Sequence, residues 1–228
     1  MVHKEERKAK KREAGVLIVD DHPLVRRGLV QLIEQEAGLR VCGEAADVAD
    51  ALDAAAKLKP DIVIVDVSLK GRDGIELVKI LKGLYPKLPV LVLSMHDESL
   101  YAERSLRAGA KGYVMKTEAP EKVALAIRQI LGGKIYVSGE VASGILHKFV
   151  GGKPGLVGSP LDVLSDRELE VFQLIGTGLG ARRIADELHL SVKTIESHCA
   201  HIKEKLKLRD SAELTQHAVQ WVESENAS

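Results

Sequence analysis

Between residues 16 and 131 the chain alternates short, almost wholly apolar runs with longer stretches in which apolar residues recur every three or four positions. That rhythm leaves little room for anything but a parallel sheet covered by helices, because parallel strands need long crossovers and are buried on both faces. Five runs qualify as strands: VLIVD (16–20), LRVCGEA (39–45), DIVIVD (61–66), LPVLVLS (88–94) and KGYVM (111–115). Between them, Pro23 stands at a first helical position and opens a helix with Val25, Leu29, Leu32 and Ile33 on one face. Val123, Ile127, Ile130 and Leu131 repeat such a stripe in the last helix. The expected unit is a five-stranded, doubly wound α/β domain over residues 15–133.

Over residues 134–160 the periodicity weakens, and a short helix near 138–149 is expected before a flexible linker rich in glycine and proline. From 161 to 223 the chain reads as all-α, with about four helices. Ser165 precedes Glu168 by three residues, a capping box, and Leu169, Phe172 and Ile175 share a face behind it. ARRIADEL is short, HLS breaks it, and VKTIESHCAHIKEKL resumes with Ile195, Cys199, Ile202 and Leu206 inward. Short helix, tight turn and longer helix make a helix-turn-helix. A last helix over about 211–222 carries Leu214, Ala218 and Trp221 or Val222 inward.

At 228 residues the chain has room for two such domains. Its 33 basic and 33 acidic residues cancel, so no global field draws it to nucleic acid or to an anionic membrane. Cys42 and Cys199 stand far apart in no metal-like spacing, which argues against a disulfide framework or a zinc site and fits a reducing cytoplasm. Residues 1–14 read as a mobile, solvated tail, their six basic residues set against three glutamates. No apolar run approaches the roughly 18 residues of a membrane span, so no membrane partner is expected.

In an open α/β sheet, ligands gather outside the carboxyl ends of the strands. There the chain puts Asp20 and Asp21 after the first strand, Asp66 after the third, Ser94 after the fourth and Lys116 after the fifth. Three converging carboxylates repel one another unless a cation sits among them, and hard oxygen ligands favour Mg2+. The lysine supplies a point charge for a phosphoryl oxygen. Singly, each residue has a plainer use, Asp20 or Asp21 capping the helix at Pro23 and Asp66 or Ser94 capping a turn. It is the five together that point to a phosphoryl site. His22 and His96 flank it and read as surface polar residues. A dehalogenase-like phosphatase needs a second acid two residues after its nucleophile; Asp66 is followed by Val67 and Ser68, and Asp20 by Asp21 and His22. Neither GxGxxG nor GxxxxGK[ST] occurs, which removes the common nucleotide-binding loops.

DDHP at 20–23, VIVDVSL around Asp66, DG at 73–74, VLSMHD with Ser94 and GAKGYVMK ending at Lys116 resemble the receiver domain of bacterial two-component response regulators. The resemblance implies a flavodoxin-like sheet of order 2-1-3-4-5. It implies that Asp66 is the phosphoacceptor, taking the phosphoryl group from a phosphohistidine of a sensor histidine kinase. Asp21, Asp66 and the backbone carbonyl of Ser68 would ligate Mg2+, with Asp20 assisting through water. Ser94 would hydrogen-bond the phosphoryl group, Lys116 would pair with it, and Tyr113 would change rotamer as Ser94 moves. One departure is Lys70, followed by Gly71 and Arg72, where many receivers have proline; it bears on kinase docking or on the lifetime of the phosphoryl group.

LSDRELEVFQLI, Gly178, RRIADELHLSVKTIESHCAHIKEKL and LRDSAEL resemble the LuxR-type helix-turn-helix domain, and so the whole chain resembles regulators of the NarL and FixJ type. In that family the second helix of the motif enters the major groove of double-stranded DNA. With the apolar stripe inward, Lys193, Ser197 and Ala200 face out, Glu196 lies at the margin and Cys199 belongs to the core. Lys193 and Thr194 suit phosphate or base contact, Arg182 and Arg183 could hold the backbone, and Lys203 lies further along with Lys205, Lys207 and Arg209. Glu196 and Ala200 stand where basic residues are common, and Gly180 and Ala181 replace a serine-asparagine pair. Residues 161–228 hold eight basic and twelve acidic residues, a net of −4, whereas 180–209 holds seven against four, +3. Such a domain is no generic polyanion binder, and Glu196 can accept from cytosine N4. The resemblance implies a cytoplasmic transcription factor rather than an enzyme, homodimeric when phosphorylated. A regulator indifferent to phosphorylation and a C-terminal unit that binds protein are the rival readings.

Overall fold

The computed structural model describes residues 12–69, 72–95, 98–150 and 160–226. The expected tail (1–14) and linker lie outside the described residues apart from 12–14 and 160, as do Lys70, Gly71 and His96. The chain divides into two compact units. Along it run β1 (Ala14–Val19), α1 (Pro23–Gln35), β2 (Leu39–Ala45), α2 (Val48–Leu58), β3 (Ile62–Asp66), β4 (Ser68–Leu69), β5 (Arg72–Asp73) and α3 (Gly74–Leu84). Then come β6 (Val90–Ser94), α4 (Glu98–Ala108), β7 (Gly112–Met115), α5 (Pro120–Leu131) and α6 (Gly139–Val150). A 3-10 turn (Pro160–Val163) leads into α7 (Asp166–Gly176), α8 (Ala181–Glu187), α9 (Val192–Leu206) and α10 (Ser211–Asn226).

The main sheet has the order β2-β1-β3-β6-β7, every neighbouring pair parallel, which is the expected doubly wound arrangement. On one face Val16, Ile18, Ile62, Ile64, Leu91 and Leu93 pack with Leu29 and Ile33 of α1 and with Val123, Ile127 and Ile130 of α5. The alternate set, Leu17, Val19, Val63, Val65, Val90 and Val92, is just as buried, so the apolar runs have no polar face to show. Each such side chain contributes about 1.5–3 kcal/mol of burial. β1 starts two residues earlier than its apolar run because backbone pairing does not need an apolar side chain: Ala14 N–H donates to the Gly38 carbonyl (2.8 Å) and Gly15 N–H to Asp61 Oδ2 (2.7 Å). The register with β2 slips between Val16 and Leu17 and passes over Cys42.

β7 is an edge strand, and the chain covers its free side with one residue. Tyr113 N–H donates to the Tyr136 carbonyl (3.0 Å) and Tyr136 N–H to the Lys111 carbonyl (2.9 Å). Between them a glycine is required, since a Cβ on Gly112 would lie 2.8 Å from the Tyr136 oxygen.

In the helical part the capping box forms: Glu168 N–H donates to Ser165 Oγ (3.3 Å) and Ser165 N–H to Glu168 Oε2 (2.7 Å). Leu169, Phe172 and Ile175 are buried as expected. Glu168 and Glu170 are buried too, which their charge does not announce; Lys205 Nζ meets Glu168 Oε2 at 2.6 Å, and Arg167 pairs with Glu170 while donating to the Leu188 carbonyl (3.0 Å). α10 crosses α7 closely enough that a Cβ on Gly176 would lie 2.5 Å from the Ala218 oxygen. Phe172 and Trp221 stack obliquely there, centroids 6.2 Å apart. On α9, Ile195 and Ile202, seven residues apart, hold the centre of the stripe. Cys199 sits to one side of it and is only half-buried, not the core residue expected; Glu196 is exposed rather than marginal.

Candidate functional site

Parallel pairing brings the strand ends to one edge of the sheet. Asp20 follows β1 and donates its N–H to the Ala45 carbonyl (3.2 Å). Asp66 is the last residue of β3, opposite Leu93, and Ser94 is the last of β6, opposite Met115. Lys116 N–H adds one more rung by donating to the Ser94 carbonyl (2.7 Å). Asp20, Asp66 and Ser94 are 1%, 2% and 0% exposed, so the carboxylates lie away from bulk water. Lys116 Nζ stands 2.7 Å from Asp20 Oδ2 and 2.7 Å from Asp66 Oδ2.

The turn that carries the acid pair is wound by its own groups. Asp20 Oδ1 accepts from His22 N–H (2.7 Å), and Arg26 Nη1 donates to the Asp20 carbonyl (2.6 Å). Neither aspartate caps α1, whose N-cap is His22 with no side-chain hydrogen bond. Ligand atoms of Asp20, Asp21, His22 and Asp66 all lie within 4.8 Å of one another. Two unit charges at that distance repel by about 3.5 kcal/mol at an effective dielectric of about 20. Burial pulls the Lys116 ammonium down, but Asp66 and Asp20 outweigh it and hold its pKa above the ordinary lysine value. With three carboxylates and one ammonium the cluster carries a formal −2, and its oxygen donors suit a divalent cation, so these residues could hold a metal.

The other expected receiver residues are near in sequence or buried close by. Ser68, half-buried, pairs across the two-residue β4–β5 ladder with Asp73. Tyr113 lies in β7 opposite Val92 and is buried, as is Tyr101 on α4. His22 and Arg26 were not singled out as site residues by pattern; the signal was their position, one residue and five residues beyond Asp21 at the head of α1.

On the helical side, Arg182 and Arg183 are exposed on α8, and Lys193, Glu196, Ser197 and Ala200 are exposed on α9. Thr194 is half-buried with its hydroxyl 2.8 Å from Ser191 Oγ, where Ser191 caps α9 by accepting from Thr194 N–H (3.1 Å). Lys203, also half-buried, donates to Ser211 Oγ (3.4 Å). The turn between α8 and α9 passes through His189 at φ 52°, the left-handed region. Burial raises the Glu168 carboxyl, yet Lys205 and the Ser165 hydrogen bonds outweigh it and keep it below the ordinary range.

A buried acidic site at the carboxyl edge of a doubly wound sheet, on a chain that also carries a helix-turn-helix unit, defines a class. Residues 16–128 match the response regulator receiver domain, and residues 162–218 match the bacterial regulatory proteins of the luxR family. The chain belongs to the response regulators that combine a receiver domain with a LuxR-type DNA-binding domain. It is 35% identical over 208 residues to the oxygen regulatory protein NreC of Staphylococcus haemolyticus, spanning 90% of this chain and 96% of that one. Among solved structures it is similar to RcsB of Salmonella typhimurium, at 29% identity over 92% of this chain and 98% of that one, with a TM-score of 0.63. A second similarity is to RcsB of Salmonella enterica serovar Typhimurium bound to promoter rprA in the presence of phosphomimetic BeF3−, at 30% identity over 91% and 99%, TM-score 0.58. Among the described residues no helix is long and apolar enough to cross a membrane.

Proposed function

We propose that Asp66 is the phosphoacceptor of a cytoplasmic two-component transcription regulator and that its phosphorylation controls DNA binding by the C-terminal unit. The observation that carries the reading is the buried Asp66 carboxylate at the end of β3, 2.7 Å from Lys116 Nζ and beside Asp20, Asp21 and Ser94. An Asp66 oxygen attacks the phosphorus of a phosphohistidine on a sensor histidine kinase; the P–O bond forms as the P–N bond breaks, and the departing imidazole nitrogen takes up a proton. Lys116 passes from the Asp66 carboxylate to the phosphoryl oxygens, and the Ser94 hydroxyl donates to them. Tyr113 changes rotamer as Ser94 moves. Asp21, Asp66, the Ser68 carbonyl and, through water, Asp20 would hold Mg2+, which when bound would supply neutralising charge for the transferring group.

The output is a population shift between arrangements of the two units, ending in a homodimer on two half-sites. Arg182 and Arg183 hold phosphates, Lys193, Glu196, Ser197 and Ala200 face base edges from the first turns of α9, Thr194 fixes the start of that helix and Lys203 lies along the backbone. RcsB bound to promoter DNA, a similar chain, supports the DNA reading. The test is labelling of the full chain by acetyl phosphate or a kinase: Asp66→Asn abolishes it while the near-ultraviolet dichroism stays native, and persistent labelling of that variant refutes the assignment.

A further inference from the structure

Glu196 places a carboxylate on the outward face of α9, near its start. Ile195 and Ile202 are fully buried, and on the opposite side of the helix Lys193, Ser197 and Ala200 are exposed with Glu196 beside them. Lys193 precedes Glu196 by three residues, a spacing at which opposite charges on a helix pair. Among the described residues the two do not pair, and neither side chain has another ion-pair or hydrogen-bond partner. Other glutamates of the same unit are engaged: Glu168 with Lys205, Glu170 with Arg167 and Glu213 with Arg209.

A free carboxylate on a surface that meets a polyanion is repelled by the phosphates unless base edges donate to it. In the major groove only the amino groups, cytosine N4 and adenine N6, are donors; guanine N7 and O6 and thymine O4 all accept. Adenine sets its N7 acceptor beside N6, whereas cytosine has a C–H beside N4. Cytosine therefore satisfies a carboxylate best. The following turn supplies no competing charge, since Ser197 carries a hydroxyl that suits any base and Ala200, about 6 Å further along the axis, offers only a methyl.

We propose that Glu196 fixes one cytosine in each DNA half-site, its carboxylate accepting from the N4 amino group. The inference deepens, and rests on, the reading of the helix-turn-helix unit as DNA-binding. Glu196 on this account sets which sequence is bound and adds nothing to general affinity for duplex.

The experiment is selection of sites from a random-sequence duplex pool by the full-length chain, with and without acetyl phosphate, followed by fluorescence anisotropy on the selected site at fixed salt. Exchanging one cytosine of the half-site for thymine weakens wild-type binding about tenfold, while 5-methylcytosine, which keeps the N4 amino group, binds within about twofold of cytosine. Glu196→Ala binds the cytosine and thymine sites within about twofold of each other. Glu196→Gln moves the selected base to adenine, whose N6 and N7 a carboxamide matches. Because Glu196 is exposed, both variants keep the wild-type melt detected at Trp221. A cytosine preference that survives in Glu196→Ala, or a wild-type half-site with no required cytosine, overturns the assignment and leaves DNA binding standing. A wild-type chain that enriches no sequence under either condition overturns the DNA-binding reading itself, and with it this one.

Discussion

Replacing Asp66 with asparagine removes the proposed phosphoacceptor, yet it should make the metal-free protein harder to melt. The Asp66 carboxylate lies within 4.8 Å of ligand atoms of both Asp20 and Asp21, so at an effective dielectric of about 20 it is repelled by about 7 kcal/mol in all. Its attraction to Lys116 Nζ at 2.7 Å offsets about 6 kcal/mol on the same scale. The balance favours the neutral side chain by about 1 kcal/mol, and relief from burying a charge adds to it. A gain of that size raises the Tm of a unit of about 120 residues by about 4 °C. The aromatic residues make the assay selective on the intact chain: all four tyrosines (85, 101, 113 and 136) precede α6, and the one tryptophan, Trp221, lies in α10. In EDTA the tyrosine signal of Asp66→Asn melts later than wild type while the Trp221 signal is unchanged. Adding MgCl2 at about 100 times its Kd lifts the wild-type transition by about 2.7 kcal/mol and the variant's by much less. An earlier melt of the variant in EDTA, or equal stabilisation of both by Mg2+, refutes the electrostatic account.

Lys116→Ala has the opposite sign, since it strands two buried carboxylates at a cost of about 3–5 kcal/mol; the tyrosine-detected midpoint falls, and an unchanged midpoint would contradict the pairing. Glu168 has a folded pKa below its ordinary 4.5, so its contribution is complete above that value and is lost as pH falls through the lower one. Melts followed by Trp221 should therefore lose stability from pH 5 to pH 3, with a shallower slope in Glu168→Gln; equal slopes would contradict the Lys205 pairing. Gly176→Ala forces a methyl to within 2.5 Å of the Ala218 oxygen and should destabilise the same transition by about 1–3 kcal/mol or more. Arg182→Ala should weaken binding evenly across promoter sequences and reduce the logarithmic salt slope by about one, measured by fluorescence anisotropy.

The doubly wound sheet was legible because Val, Ile and Leu fill both faces of β1, β3 and β6, a pattern that an exposed strand does not tolerate. The cluster at its carboxyl edge was legible in the same way, as polar residues placed where those apolar runs stop. What escaped was burial that no local pattern announces. Nothing in the sequence marks Glu168 and Glu170 as buried; Lys205, 37 residues on, pairs with the first and Arg167, one turn away, with the second. Tyr136 gives no strand signal, because a single bridging residue has no periodicity. α10 runs to Asn226, past the expected end near 222, since WVESENAS contains neither glycine nor proline to stop it. His22 is exposed, as expected of a surface polar residue; its ion-pair distance to Asp21 is what the sequence did not show.

The rung that Tyr136 adds beside Gly112 also works as a stopper. The outer side of β7 would otherwise offer the Tyr113 amide and the Lys111 carbonyl to any extended segment, and open edges of this kind recruit strands from other molecules. Here the plug is supplied by the chain on its way out of the sheet, three residues before α6 begins at Gly139. A receiver shortened to end at Leu131 would keep every strand and every site residue, yet it would lose that plug and carry an adhesive margin that the intact protein hides.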